Sequence, residues 1–333
     1  MRIFGNGFLR GGSGPARVTD AGADDREAPG KVRIGLALGG GAARGWTHIG
    51  VLHALEEAGI SPSIVAGTSI GAVVGGCYVA GGLDELERFA TGLTRRRVFG
   101  LMDLSFAGSG LIGGNRLARL LEDGLQGKRI ESFDKSFVSV ATELATGHEI
   151  WLSRGPIVEA MRASYALPGI FKPVRVSGRW LVDGALVNPI PVSVCRALGA
   201  NFVIAVNLSA DGFGRGTVVQ NHVSDPLAEL LEEVPEEGFT DTRQARRAFR
   251  RQLIGRDTGP PSISSVMMEA FNIIQDRIAR SRLAGDPPDV MIGPKLGKIG
   301  LFEFHRAREM IDIGYQCSRR MVGEIKETVA ALA

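Results

Sequence analysis

Gly67-Thr68-Ser69-Ile70-Gly71 fits the pattern G-x-S-x-G. A serine is a useful nucleophile when its hydroxyl stands exposed on a sharp strand-to-helix turn. Glycines two residues to either side leave room for that backbone against neighbouring elements. In a glycine-rich chain such matches arise by chance, so the context carries the weight. The apolar run SIVAG (63–67) precedes the serine and a small-residue stretch over 70–80 follows it. A helix starting there favours negative charge developing at its N-terminus. The plain alternative is a serine that only caps the helix.

A second candidate is Gly39-Gly40-Gly41-Ala42-Ala43-Arg44-Gly45. A glycine loop between a strand and a helix can aim several backbone N–H groups at one anion. A phosphate or the oxyanion of an acyl-transfer intermediate would suit it. The dinucleotide pattern G-x-G-x-x-G, counted from Gly39, needs glycine where Arg44 stands, and the Gly-Lys-Ser/Thr of a P-loop is absent. A tight turn that binds nothing remains the plain alternative.

The third is Asp183-Gly184-Ala185, directly after the apolar run RWLV (179–182). An aspartate at the C-terminal end of a sheet strand points to the ligand side of an α/β fold. Asp-Gly is also an ordinary turn pair, so Asp183 gains weight only beside the serine. A triad on an α/β-hydrolase fold would want a histidine after the aspartate. Of His48, His53, His148, His222 and His305 only the last two qualify. His222 lies in a charged stretch and His305 opens a terminal helix, so neither is a persuasive base. His48 and His53, on the helix after the glycine loop, read as helix histidines with satisfied hydrogen bonds. A Ser–Asp dyad is then the economical arrangement. It makes a demand: a carboxylate with an ordinary pKa of about 3.9 is a poor base. Burial must raise it, or tight positioning must compensate.

The elements that hold these groups follow from patterning. Short apolar runs at 32–38, 63–67, 136–144, 148–153, 173–176, 179–182, 202–207 and 289–292 read as strands, with a hairpin around 177–179. Helical patterns cover 44–58, 70–80, 83–93, 114–126, 155–166, 191–198, 262–284 and 305–332, and Gly59 ends the first. The opening strand–helix–strand–helix order predicts a parallel sheet with helices on both faces. Ala58 to Leu83 carries no formal charge, yet its many glycines and Pro62 favour a buried strand–turn–helix over a membrane span.

The chain has 333 residues, 44% hydrophobic and 23% charged, ordinary for a globular protein. Lys+Arg 39 against Asp+Glu 36 leaves +3, too little to seek a polyanion, so no nucleic-acid partner is expected. Cys77, Cys195 and Cys317 are odd in number and widely spaced. They offer neither a disulfide framework nor a metal pair and point to a reducing compartment. No metal or cofactor is expected. The first residues lack an apolar run long enough for a secretory signal, so a cytoplasmic location is expected. Residues 1–30 read as a flexible N-terminal extension. Residues 210–260 read as a mobile charged insertion or lid, acidic first and then basic. There Ala245, Phe249 and Leu253 fall on one helical face among arginines.

Taken together, GLALGGGAARGWTHIGVLHALEEAGI, VAGTSIGAVVGG and RWLVDGALVNPIPV resemble the patatin-like phospholipases, most closely the bacterial proteins of the neuropathy target esterase (NTE) type. The resemblance covers roughly 31–210, and IIQDRIARSRLAGDPPDV downstream is also similar to that group. It implies a three-layer α/β/α fold with a mostly parallel central sheet over 31–333, distinct from the α/β-hydrolase fold. It implies hydrolysis of lipid carboxyl esters through a covalent acyl-enzyme without metal. Carried over, Ser69 is the nucleophile and Asp183 the general base. Gly40, Gly41, Ala42 and Arg44 form the oxyanion hole, and Gly67, Gly71 and Gly184 support the motifs around Ser69 and Asp183. The chain departs from the family loop G-G-G-x-R-G in one place: Ala42 stands where a third glycine is usual. If that position needs a positive φ, Ala42 is strained. The implied substrates are phospholipids, lysophospholipids or other acyl esters, met by peripheral contact at the inner membrane face through the basic segment of the insertion or the apolar face of 262–284. Acyl-CoA thioesterase or acyltransferase chemistry, or a non-catalytic lipid-binding regulator, are the alternatives on the same scaffold.

Overall fold

A computed structural model describes residues 32–101, 115–125, 127–209 and 263–332. The expectations for residues 1–30 and 210–260, including Ala245, Phe249 and Leu253, lie outside the described residues.

The chain opens with β1 (Ile34–Leu38), a tight turn at Ala42–Trp46 and α1 (Thr47–Glu57). The sequence suggested one helix from Arg44, whereas the 3-10 turn holds the loop and α1 starts at Thr47. Gly59 ends α1 with a positive φ of 72°, its N–H bonding Glu56 and that of Ile60 bonding Leu55, the left-handed cap only glycine adopts cheaply. Next come β2 (Ile64–Thr68), α2 (Ile70–Val79), α3 (Leu83–Thr91) and α4 (Arg95–Leu101), the last not evident from its sequence. Then follow α5 (Asn115–Leu125), β3 (Ser136–Glu143), β4 (Glu149–Leu152), α6 (Ile157–Ser164), β5 (Val174–Val176), β6 (Arg179–Asp183), α7 (Val192–Ala197) and β7 (Phe202–Val206). After the undescribed segment stand α8 (Ile263–Gly285), β8 (Val290–Ile292) and α9 (Ala307–Leu332).

The described strands form one sheet in the order β5-β6-β3-β2-β1-β7-β8, with β4 also on β3. Strands β3, β2, β1, β7 and β8 run parallel, β4 and β6 run antiparallel to β3, and β5 pairs antiparallel with β6. The expected hairpin closes through Ser177 and Gly178, both with positive φ, as a two-residue turn requires.

Strand side chains alternate between faces. Leu36, Leu38, Val65 and Phe137 pack under α1, α2, α6 and α9. Ala37, Ile64, Ala66 and Val138 pack under α7 and Ala279 of α8. This makes three layers. Full burial of side chains such as Leu36, Leu52 and Leu55 contributes about 1.5–3 kcal/mol each. The glycine-rich 58–83 stretch is the predicted strand–turn–helix, with β2 and nearly all of α2 buried. No described helix is long and apolar enough to cross a membrane.

Candidate active site

Ser69 occupies the turn between β2 and α2 with φ 57° and ψ −124°, a conformation L-residues rarely hold and one that stores strain. The motif glycines make it possible by close approach. A Cβ on Gly67 would lie 2.5 Å from the Ala72 Cα, and one on Gly71 only 2.2 Å from the Leu38 carbonyl oxygen. The Ser69 N–H donates to Ser164 Oγ at 2.8 Å, and Ser164 in turn donates to the Val140 carbonyl.

Thr68 pairs with Val140 on β3, and Ala141, the next residue of β3, pairs with Asp183 on β6. The register therefore brings Ser69 and Asp183 to one level on either side of β3. Ser69 Oγ donates to Asp183 Oδ2 at 2.7 Å, and the Ala185 N–H donates to Oδ1 at 2.8 Å. β6 is antiparallel to β3, so the rule for C-terminal ends of parallel strands does not apply to it; register does the placing. Gly184 sits against β3, where a Cβ would lie 2.2 Å from the Val140 oxygen.

Asp183 is 2% exposed. Burial pushes its carboxyl up to about 7, against the lowering effect of the Ala185 and Ser69 hydrogen bonds. That is the range in which a carboxylate can accept and return a proton near neutral pH. None of the described histidines hydrogen-bonds to Ser69 or Asp183. His53 meets Glu87, His305 accepts from Arg95, and His48 is buried against the Gly39 carbonyl. His222 lies outside the described residues.

The glycine loop departs from the expected donor set in two places. The Gly40 N–H donates to the Pro189 carbonyl at 3.0 Å and is not available to a ligand. The Arg44 side chain is turned to the 299–301 loop, its Nε donating to the Ile299 carbonyl at 2.9 Å, and Arg44 does not line the cavity. The neighbouring Ala43 N–H binds the Leu301 carbonyl, so this part of the loop braces the fold. The Gly41 and Ala42 N–H groups make no hydrogen bond among the described residues, and both residues line the cavity with Ser69. Ala42 has φ 49°. The position does need a left-handed backbone, and alanine bears the cost there.

A cavity of about 160 Å³ opens beside Ser69 and Asp183. Trp46, Phe89, Phe171, Phe271 and Phe304 are among its walls, and Asp183 is the one charged residue among the described lining. α8 supplies Met268, Phe271, Asn272 and Gln275. Sequence reasoning missed these four. Their i, i+3, i+4, i+7 spacing was a signal for a buried face, but nothing local said that the face covers a cavity. The opposite side of α8 leaves Val266, Met267, Ile273 and Ile274 exposed.

The sequence signature described as patatin-like phospholipase matches residues 36–196. An uncharacterized NTE family protein of Mycobacterium tuberculosis is 32% identical over 323 residues, covering 85% of this chain and 89% of that one. The chain belongs to the patatin-like phospholipase family, in its NTE branch. The described α/β architecture with its mostly parallel sheet is that patatin fold. Longer relatives match too. Another uncharacterized NTE family protein of M. tuberculosis is 31% identical over 310 residues, 92% of this chain and 49% of that one. A protein of Pyricularia oryzae named lysophospholipase NTE1 is 27% identical over 312 residues, 88% of this chain and 19% of that one. At family level these patatin-like proteins are lipid hydrolases.

Proposed function

We propose that this protein is a serine acyl hydrolase that cleaves carboxyl esters of lipids, of lysophospholipase or phospholipase A type. The 2.7 Å hydrogen bond from Ser69 Oγ to a buried carboxylate, beside two unused N–H groups and an apolar cavity, carries the reading. Ser69 Oγ attacks the ester carbonyl carbon while its proton passes to Asp183 Oδ2. The N–H groups of Gly41 and Ala42 hold the resulting oxyanion. Collapse breaks the bond to the alcohol, which takes the proton from Asp183 and leaves an acyl group on Ser69. Water then gives a proton to Asp183 and attacks the acyl carbon; collapse breaks the bond to Ser69 Oγ, which takes that proton back from Asp183, and the fatty acid leaves. The cavity suits the hydrocarbon chain, because burial of each CH₂ contributes about 0.8 kcal/mol. With no charged residue but Asp183 among the described lining, a phosphate headgroup belongs outside it. The name of the P. oryzae relative agrees with a single-chain substrate. Val266, Met267, Ile273 and Ile274 on α8 are suited to contact with a lipid surface.

Labelling with a fluorophosphonate probe, wild type beside Ser69→Ala, tests the reading, followed by turnover of lysophosphatidylcholine against an acyl-CoA. Labelling confined to wild type and preference for the lysolipid are expected. A folded wild type that stays unlabelled, in buffer and with lipid vesicles alike, overturns the hydrolase. Preference for the acyl-CoA overturns the lipid-ester assignment.

A further inference from the structure

We infer that His48 is a positioning residue that sets the oxyanion loop by donating to the Gly39 carbonyl, an inference that rests on the acyl-hydrolase reading above. His48 is the second residue of α1 and is fully buried. Its Nε2 lies 2.8 Å from the Gly39 oxygen. A carbonyl oxygen can only accept, so Nε2 carries the hydrogen and a neutral ring leaves Nδ1 bare. Nδ1 has no hydrogen-bond partner among the described residues. Burial holds the ring's pKa down at about 4, so the imidazole is neutral wherever Asp183 is ionised.

The geometry explains why the loop needs this contact. Residues 39–41 are three glycines, which place no side-chain restraint on their own dihedrals. Their shape must come from outside. The Gly39 carbonyl and the Gly40 N–H belong to one rigid peptide plane. His48 holds that plane at its oxygen, and the Pro189 carbonyl holds it at its nitrogen at 3.0 Å. The Gly39 N–H is bound to Val206 on β7 at 3.1 Å. The next two peptide planes carry the unused Gly41 and Ala42 N–H groups. Without the His48 bond the first plane can rotate and carry those donors out of aim. α1 itself is packed tightly, because it crosses α9 where glycines let the backbones touch. A Cβ on Gly50 would meet the Ile311 oxygen, and one on Gly314 the Thr47 oxygen. The strut is therefore anchored at its far end.

Nitrogen-15 NMR of the wild-type protein reads the tautomer directly. His48→Leu and His48→Gln are compared with wild type in turnover of a water-soluble ester, in pH–rate profile and in melting temperature. Gln can place an amide N–H near the position of Nε2; Leu cannot. The ring is expected to be Nε2-protonated. In His48→Leu kcat falls about tenfold to a hundredfold with KM little changed, short of the roughly 10²–10³ lost with a whole oxyanion donor. His48→Gln recovers most of that loss, and the acid limb set by Asp183 near pH 7 stays put in both. An Nδ1-protonated wild type, a folded His48→Leu with wild-type kcat, or equal losses in the two variants overturns the inference. So does a moved acid limb, which would make His48 part of the proton transfer. A wild type that never reacts with the phosphonate probe instead overturns the hydrolase reading, and this inference with it.

Discussion

Asp183→Asn should cost the protein its activity and add to its stability above neutral pH. In the unfolded chain this carboxyl ionises at its ordinary value of 3.8; in the fold burial raises it to about 7. Between those values the folded protein holds a proton that the unfolded chain has released. Stability from this group is thus full below about pH 4 and is lost as pH rises towards 7. At about 1.4 kcal/mol per tenfold change in proton affinity, the whole loss is about 4 kcal/mol. Of this, about 3 kcal/mol falls between pH 5 and pH 8. Asparagine cannot ionise, and its oxygen can still accept from the Ala185 N–H. The stability difference between variant and wild type should therefore grow by about 3 kcal/mol over that range. For a domain of this size each kcal/mol moves Tm by about 2 °C, so the gap should widen by about 6 °C. Urea or thermal melts of both proteins at pH 5, 6, 7 and 8 measure it, and other carboxylates cancel in the difference. Loss of the base should lower kcat by about 10²–10⁴, with the wild-type rate rising as pH passes through 7. A stability difference that stays level with pH would refute the raised carboxyl. Near-wild-type turnover of Asp183→Asn at pH 8 would refute its role as base.

Strain at Ser69 predicts that Ser69→Gly is more stable than Ser69→Ala by about 1–3 kcal/mol, since only glycine takes φ 57° and ψ −124° without cost; equal melting temperatures would show that the turn is unstrained. Ala42→Gly should retain turnover and gain about 1 kcal/mol, because φ 49° at that position disfavours alanine; a destabilised variant in chemical denaturation contradicts this. Gly71→Ala should lose phosphonate labelling even where soluble protein is recovered, because its Cβ would sit 2.2 Å from the Leu38 oxygen; wild-type labelling rates would show that the turn can yield.

Much of the site was legible in order along the chain. Ser69 and Asp183 were readable because each stands at the end of a short apolar strand, next to glycines that tolerate no side chain. The strands and most helices followed from side-chain period, which is a local property. Ala42 was recognised as the odd residue in the loop, and a backbone angle decided what that meant. Other matters depended on partners far away in sequence. Gly40 and Arg44 looked like ligand-facing groups, but the acceptors that engage them belong to Pro189 and Ile299. Asp183 reaches Ser69 through strand register across β3, not through its end of a parallel strand. Its carboxyl is lifted towards neutral pH only because the surrounding layers bury it. α8 was readable as a helix, yet which of its faces walls the cavity depends on where the sheet and α2 stand. Residue types and spacing thus singled out Ser69 and Asp183, which the fold brings within hydrogen-bond distance. The fold decided which of their hydrogen bonds are already taken and which are left for a substrate, because each long-range hydrogen bond consumes a donor that sequence alone counts as free.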